Sequence, residues 1–395
     1  MGLFSKLLKP ITNLIGEVLG FLTGTDFDDQ QQASGVLVNK QSNIEPIPVI
    51  YGRRKVGGVR AFISTGGGKK NEYLYIALVL SEGEIDAIEE IYINDTLHTD
   101  AKYSGLVTVD TTKLGSDDQT YSTLLSGADS TWGANHRLRG VAYLAIRLKY
   151  DQDVFGGIPD IQCVVRGRKV YDPRNSQTAY STNPALCLRD YLTNSRYGKG
   201  LSASLIDDTA FASAANTLDT LVTSYSGGSQ QKLIECNAVI DTGKKLFDNV
   251  KILLQGMRGL MPYSNGIYSL LIDKDEPITF ALNPSNITSS IQVSSTGKDK
   301  KYNKVTVKYI NPSANWQDDA AIYPEAGSAE ETQFLAEDNG EELAREVSMS
   351  TVTNQYSAKD LARIICLASR ENTLTTTITA TSEALAIAVG DVVSL

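Results

Sequence analysis

A glycine-rich stretch that ends in two lysines, Gly66-Gly67-Gly68-Lys69-Lys70, has the residue types that bind phosphate groups. A phosphate-binding loop of the Walker A type needs the spacing G-x-x-x-x-G-K-[ST]. Here Ile63 occupies the first glycine position, and Lys70 replaces the hydroxyl residue. We therefore expect a solvated hairpin tip rather than a nucleotide site.

Metal ligands are the next residues to test. Asp151 and Asp153 resemble the start of a calcium loop, but Phe155 fills the third ligand position and Gln162 replaces the bidentate glutamate. The cysteines are far apart without a CxxC pair, and the chain has only 2 histidines, so a structural zinc site is not expected. We predict no metal and no cofactor. Buried free thiols are expected at Cys163, Cys187, Cys236 and Cys366.

Paired carboxylates could serve acid–base catalysis, as they do in glycosidases that degrade cell walls. The two pairs, Asp207-Asp208 and Glu89-Glu90, stand at a predicted helix start and on a predicted strand surface, where acidic side chains are ordinarily solvated. The chain has no G-x-S-x-G motif and no Cys/His motif for a nucleophilic triad. We therefore predict that the protein is not an enzyme and has no catalytic residues.

The charge of the chain bears on its partners. It has 46 acidic and 37 basic residues, for a formal net charge of −9. A nucleic-acid-binding protein needs clustered Lys and Arg, whereas an acidic wall lets DNA pass without specific binding. The short basic clusters Arg53-Arg54-Lys55 and Arg166 to Lys169 are flanked by glycine. We interpret each as a solvated turn or a subunit contact.

The N-terminal segment has apolar residues at helical spacing, which predicts an amphipathic helix. Its stripe is too interrupted for a membrane span, and the segment lacks the cleavage site of a signal peptide. A polar linker, Asp26 to Gln32, follows. Two alternatives stay open: the helix packs on its own domain, or it docks into a partner, which is the hypothesis that we carry forward. The partner-binding stripe comprises Phe4, Leu7, Leu8, Ile11, Leu14, Ile15, Val18, Leu19 and Leu22.

The rest of the chain predicts an α+β, multidomain fold with β-rich domains and a small helical layer. Strands are expected at Ile47 to Tyr51, Tyr73 to Leu80, Ala87 to Ile93 and Val141 to Lys149. A long connection or an exposed insertion is expected between Asp110 and Trp132. The expected domains are 1–30 (helix and linker), 31–180 (β-rich, with the insertion), 181–260 (helical or mixed) and 261–395 (β-rich with one helix).

Helices are predicted from caps and periodicity. Asn183 caps the first, with Pro184 at its first position. The second carries Phe211 to Val222 and the third runs from about Thr242 to Met257. Asn265-Gly266 predicts a hairpin, and a last helix is expected to start at Ser357. The final predicted strand, Val389 to Leu395, stops abruptly, so we expect a longer natural chain.

Three segments of the sequence resemble a known family. The residues of these segments are of types that set turns, begin helices or supply a large apolar anchor, and no catalytic role is expected for them. The first is Leu78 to Ile85. The second combines Val165 to Arg174 with Asn183 to Leu192 and Arg196 to Gly200, and the third combines Tyr302 to Val307 with Asn311-Pro312 and Trp316. Together they resemble the central tail-tip attachment protein, or baseplate hub protein, of lambda-type long-tailed bacteriophages. The family-motif residues expected to be structural are Arg168, Tyr171, Asp172, Pro173, Asn183, Pro184, Tyr197, Gly198 and Trp316.

The resemblance implies a structural role at the distal end of a phage tail. Such a protein has β-barrel-like hub domains and forms a homotrimer that closes the tail tube, adapts its symmetry, and contacts distal tail, tail-tube and tape-measure proteins. It supports host attachment and genome ejection after assembly in the host cytoplasm. Receptor contact is expected through a region beyond Leu395. The alternatives are a cell-wall-degrading baseplate enzyme, which the lack of an acid–base constellation disfavours, and a receptor-binding adhesin, for which no repetitive fibre or aromatic platform is evident in the sequence.

Overall fold

The computed structural model describes residues 45–67, 72–128, 132–224, 227–295, 297 and 300–395. It combines helices with several sheets, one of which curves into a half-barrel, and this confirms the predicted α+β class. The N-terminal stripe of apolar residues and Gly68, Lys69 and Lys70 lie outside the described residues. The expected domain boundaries stay a prediction.

The strands of the first part of the chain are mostly long. They are β1 Val49–Tyr51, β2 Arg53–Val56, β3 Val59–Gly66, β4 Tyr73–Glu82, β5 Ile85–Ile93, β6 Thr96–Leu97, β7 Val107–Asp110, β8 Val141–Lys149, β9 Ile161–Asp172 and β10 Gln177–Tyr180.

The later strands are shorter, with the exception of one three-stranded sheet. They are β11 Leu221–Val222, β12 Gln231–Lys232, β13 Ala238–Ile240, β14 Gly259–Leu260, β15 Tyr263–Ser264, β16 Ile267–Tyr268, β17 Leu271–Ile272, β18 Phe280–Ala281, β19 Gln292–Ser295, β20 Lys304–Asn311, β21 Gln317–Tyr323, β22 Ala344–Ser348, β23 Leu374–Thr377 and β24 Val393–Ser394. The α-helices of the described ranges are α1 Pro184–Thr193, α2 Asp208–Leu218, α3 Leu246–Met257, α4 Ala329–Glu337 and α5 Gln355–Glu371.

Two antiparallel sheets form the first layer pair. One has the order β3-β4-β8-β7, and the other has the order β10-β9-β5-β6 with β2 beside β9. Strand β4 is buried on both faces, because Ile76 and Leu78 enter one core while Tyr75 and Ala77 enter a second. This explains why β4 reads as an uninterrupted apolar run. A bulge between Val79 and Ser81 bends the β4–β8 pair.

A helical layer packs beside these sheets. Helices α1, α2 and α3 share one core with the antiparallel pair β1–β13, in which Val49 faces Ile240 and Tyr51 faces Ala238. Because β1 also contacts β9, this short strand couples the helical layer to the second sheet. The layer therefore depends on contacts between residues near 50 and residues from 184 to 272.

After the paired sheets and the helical layer, residues 302 to 366 form the third packed unit of the molecule, and its interior is named the third core. Strand β20 is central there, antiparallel to β21 and parallel to β22. Helix α5 covers this sheet with Leu361 and Ile365. Helix α4 adds Phe334 to the same core and was not predicted, because its sequence is mostly polar.

Several local predictions are confirmed. Asn183 accepts a hydrogen bond from the Ala185 amide as N-cap of α1, with Pro184 at the first position. Asn265 and Gly266 both have positive φ, 53° and 87°, and join β15 to β16 as a hairpin. Strand β8 spans the predicted residues. All four cysteines are buried and free.

Other local predictions are wrong. Helix α2 ends at Leu218, and Leu221 and Val222 form strand β11 instead of extending the helix. The N-cap of α5 is Asn354, whose side chain accepts from the Tyr356 amide, so Ser357 lies inside the helix. Of the two alternatives for the stretch after Asp110, the exposed insertion is wrong, since Leu125 and Trp132 are buried against β4 and β8, whereas the long connection is confirmed, because its described residues form no strand between β7 and β8.

Candidate functional site

A buried polar network joins strand β9 to helix α1. The Tyr51 and Tyr197 hydroxyls each donate a hydrogen bond of 2.6 Å to Oδ2 of Asp190. Nε of Arg168 donates to the Tyr197 hydroxyl at 2.8 Å and lies 3.6 Å from Oδ1 of Asp190. Three side chains, from β1, β9 and the residues after α1, therefore share one carboxylate of α1.

The electrostatics of this network fix its hydrogen-bond directions. Burial and then the Asp190 carboxylate raise the pKa of the Tyr51 hydroxyl well above its usual value. The same two causes raise the pKa of the Tyr197 hydroxyl. Both tyrosines therefore stay protonated and donate hydrogen bonds at neutral pH. The two neutral tyrosines and the carboxylate that they bind hold β1, α1 and the residues after α1 together.

A second contact pairs Arg189 of α1 with Asp208 at the start of α2. The guanidinium binds the carboxylate in a bidentate manner, with 2.7 Å from Nε and 2.9 Å from Nη2. The Arg189 guanidinium also lies 4.7 Å from the ring centre of Tyr171. Asp207, the neighbouring carboxylate, caps α2 by accepting from the Ala210 amide. The Asp207-Asp208 pair therefore has the helix-start role expected from the sequence.

A third contact anchors the end of β9 on α2. Asp172 and Asp219 bind the Arg174 guanidinium from two sides, at 2.7 Å and 2.9 Å. The hydrogen bonds that the guanidinium donates to the Asp172 carboxylate are the first of the causes that raise the pKa of Arg174. Pro173 lies in the turn between Asp172 and Arg174 and directs the chain out of β9.

Two further motif residues set backbone geometry. Nδ2 of Asn183 donates to the Ala215 carbonyl at 2.9 Å, so one side chain caps α1 and binds α2. A Cβ atom at Gly198 would lie 1.8 Å from the Tyr191 carbonyl oxygen. Only glycine therefore allows the chain to return across the end of α1.

The motif residue Trp316 lies away from these contacts, at the junction with the third core. It is buried against Val164 and Ile310. The Arg53 guanidinium stands 5.4 Å from its ring centre. Nζ of Lys55 donates to Oδ1 of the adjacent Asn315 at 2.8 Å.

The basic cluster Arg53-Arg54-Lys55 is the main correction to the sequence analysis. It is no solvated turn, because it forms strand β2 and the Arg54 and Lys55 side chains are buried. The Arg54 guanidinium donates to the carbonyls of Asn237 at 3.1 Å and Ser350 at 2.8 Å. Burial lowers the pKa of Arg54 to about 10. The cluster therefore binds the third core to the rest of the molecule.

Some residues of this junction were missed. Tyr51, Asn237 and Asn315 belong to no motif in the sequence, and Asp190 lies within the motif segment Asn183 to Leu192 without a signal of its own. The Asn237 side chain accepts from the Arg53 amide at 2.8 Å and donates to the Thr353 hydroxyl at 2.8 Å. A buried asparagine that bonds two distant segments leaves no periodic signal in the sequence.

The residues tested as a calcium site form a turn, whereas Gly68, Lys69 and Lys70 of the glycine-rich stretch lie outside the described residues. Asp151 accepts hydrogen bonds from the amides of Asp153 and Val154. Gly66 lies opposite Tyr73 at the end of the β3–β4 hairpin. Within the described ranges, no group of three His, Cys, Asp or Glu residues could hold a metal ion. Over the same ranges, no helix has the length and apolar character of a membrane span.

Part of the chain matches a known protein family, and most of it is similar in sequence to a named protein. Residues 277–395 match the family described as putative phage tail protein. Over 393 residues the chain is 23% identical to "Baseplate hub protein pb3" of Escherichia phage T5, which covers 80% of this chain and 40% of that protein. The chain thus spans less than half the length of this relative.

Solved structures add a fold. A chain of the "Virion of native gene transfer agent (GTA) particle" superposes with a TM-score of 0.63 at 14% identity, covering 99% of this chain and 88% of that one. The 43 kDa tail protein of prophage MuSo2 from Shewanella oneidensis is 11% identical, covers 86% of this chain and 79% of that one, and superposes with a TM-score of only 0.25. The match to a phage tail family over residues 277–395 and the similarity to a baseplate hub protein agree with the family that the sequence motifs resemble, and the gene transfer agent chain shares the fold.

Proposed function

We propose that the chain is a structural subunit of the baseplate hub at the distal end of a phage tail. The observation that carries this proposal is the similarity to a baseplate hub protein over 80% of the chain. The Asp190 network and the Arg54 junction support it, because they bind three cores into one unit through buried polar contacts. A rigid unit of this kind suits a ring that closes a tube.

The hub would be a homotrimer that adapts the symmetry of the tail tube and surrounds the end of the tape-measure protein. Three copies at −9 each would present an acidic surface to passing DNA. The surfaces would meet distal tail and tail-tube proteins, and assembly would take place in the host cytoplasm. Host attachment and genome ejection would be supported mechanically, without catalysis by this chain.

The N-terminal residues 3–22 supply a partner-binding segment in this proposal. Their stripe of large apolar residues would bind helical tape-measure segments or the same segments of sister subunits in a small bundle. An apolar stripe of that size would otherwise be an aggregation hazard.

The test is the position of the chain in assembled tails. Tails purified from the parent particle should contain the chain, and averaged electron microscopy images of a tagged version should place threefold density at the distal end. Six copies in a single sixfold layer would refute the trimer, and absence from purified tails would refute the hub role. A peptidoglycan clearing assay with the purified chain should show no activity, whereas clearing would favour the enzymatic alternative.

A further inference from the structure

The C-terminal part of the chain contains a two-stranded ribbon outside every buried core. Strands β19 and β23 form it, with Val293 opposite Thr376 and Ser295 opposite Leu374. All residues of both strands are exposed, Val293 by 58% and Leu374 by 65%. None belongs to a buried hydrophobic cluster of the described residues. The two strands continue toward Asn286 through 2.8 Å hydrogen bonds from the Thr288 amide to the Thr379 carbonyl and from the Thr381 amide to the Asn286 carbonyl. Because a two-stranded ribbon is marginal in water, a partner strand would stabilise it further.

Charge is missing from the ribbon strands and from the residues directly beside them in the sequence. Residues 277–295 and 373–382 contain no Asp, Glu, Lys or Arg, although these types make up 21% of the chain. Proteins ordinarily protect exposed strand edges with charged residues or proline. Strand β21 has this protection, because it carries Asp318 and Asp319 and the Asp319 carboxylate accepts from the Ala320 amide at 2.8 Å. The ribbon strands have neither charge nor proline.

One face of the ribbon is also apolar. Residues opposite each other and residues two positions apart share a face, so Val293 and Leu374 lie on the same side with Thr376. A partner strand that extends the ribbon would satisfy backbone groups at its edge and would cover part of this face. The ribbon thus has the backbone and the side chains of a strand-pairing surface.

We propose that the ribbon joins copies of this chain, the outer edge of β19 in one copy pairing with the outer edge of β23 in the next. Charge favours this occupant. Each copy carries a formal charge of −9, so the net repulsion between two copies opposes a contact least where neither surface adds further like charge. The two edges belong to different strands, so the contact runs head to tail, and such a contact closes into a ring when its rotation permits. This inference rests on the proposed hub assembly and names the surface that holds it together.

The first experiment blocks the ribbon with charge. The double variant Val293→Lys, Thr376→Lys in the full chain should keep its circular dichroism spectrum, since both residues are exposed, and should fall from oligomer to monomer in native mass spectrometry. The matched control is Ala320→Lys on β21, which should keep the oligomer. An unchanged mass of the double variant, or a wild-type chain that is monomeric at micromolar concentration, would overturn the proposal.

The second experiment tests the direction of pairing. Gln292→Cys in one tagged population and Thr375→Cys in another should be linked by a short bismaleimide only when the two are mixed. The native cysteines are buried, so the reagent reports the introduced thiols. Cross-linked dimers formed within either population alone would show pairing of like edges and would overturn the head-to-tail contact.

The two proposals fail separately. If the double lysine variant enters tails of normal length while the chain is present at the tail end, the ribbon contact is wrong and the hub role stands. If the chain is absent from tails, the hub role itself is wrong, whatever the oligomeric state of the purified chain.

Discussion

Arg54 and Ser350 are 296 positions apart in the chain, and Nη1 of Arg54 donates a 2.8 Å hydrogen bond to the Ser350 carbonyl. The same nitrogen donates to the Asn237 carbonyl at 3.1 Å. The guanidinium is only 2% exposed, and burial lowers its pKa to about 10. A desolvated cation therefore holds two carbonyl oxygens from separate parts of the molecule.

Replacing this cation should loosen the junction. Arg54→Met keeps the apolar stem but leaves both carbonyls without their donor, and we expect a loss of about 2–4 kcal/mol of unfolding free energy. Urea denaturation of the full chain measures it. Arg137→Met, at an exposed arginine, is the control and should stay within about 0.5 kcal/mol of wild type. Equal stability of the two variants would show that the junction does not depend on Arg54.

The Asp190 network predicts that two variants lose different amounts of unfolding free energy. Asp190→Asn removes the charge that Tyr51, Tyr197 and Arg168 share, and should destabilise the fold by about 1.5–3 kcal/mol. Tyr197→Phe removes one hydroxyl and should cost about 1 kcal/mol. Denaturant midpoints of the two variants measure the order. A larger loss for Tyr197→Phe than for Asp190→Asn would contradict the central role of the carboxylate.

Acid should weaken the third core through Asp338. Burial raises the pKa of this carboxyl, but hydrogen bonds from Arg370, Lys301 and Asn303 outweigh it and lower the pKa to about 2. Since the folded pKa is below the usual value of 3.8, the stabilisation is complete above pH 3.8 and is lost as the pH falls toward about 2.

Thermal unfolding between pH 2 and pH 6 tests this dependence. Asp338→Asn should be less stable than wild type at pH 6, and the difference should shrink as the pH falls through the window. Asp117→Asn, at an exposed aspartate, should follow the wild-type curve throughout. A difference between Asp338→Asn and wild type that is constant with pH would refute the assignment.

The N-terminal segment predicts a defect in assembly without a defect in folding. Leu14→Asp with Ile15→Asp places two charges in the apolar stripe, so tails carrying the variant should fail to assemble or to eject DNA. The purified chain should keep its circular dichroism spectrum. Lys6→Gln, outside the stripe, is the matched control. Normal infectivity of the double variant would show that the segment is dispensable for partner binding.

The sequence by itself determined features that depend on neighbours along the chain. The cap at Asn183 and the Asn265-Gly266 hairpin follow from backbone preferences that a few adjacent residues settle. The long strand β8 follows from an apolar run of fixed length. The family likeness was also readable, because its motifs are turns and helix starts rather than scattered contacts.

Only the tertiary structure decided which charged residues are buried. Arg54 and Lys55 are predicted to lie in a solvated turn because charged side chains are ordinarily exposed. In the structure Arg54 donates hydrogen bonds to the carbonyls of Asn237 and Ser350, and Lys55 donates one to the side-chain oxygen of Asn315. The same holds for Asp190, whose tyrosine partners come from 139 positions before it and 7 after it. Such contacts are chosen by the packing of distant segments, and a single sequence contains no local signal of which segments meet.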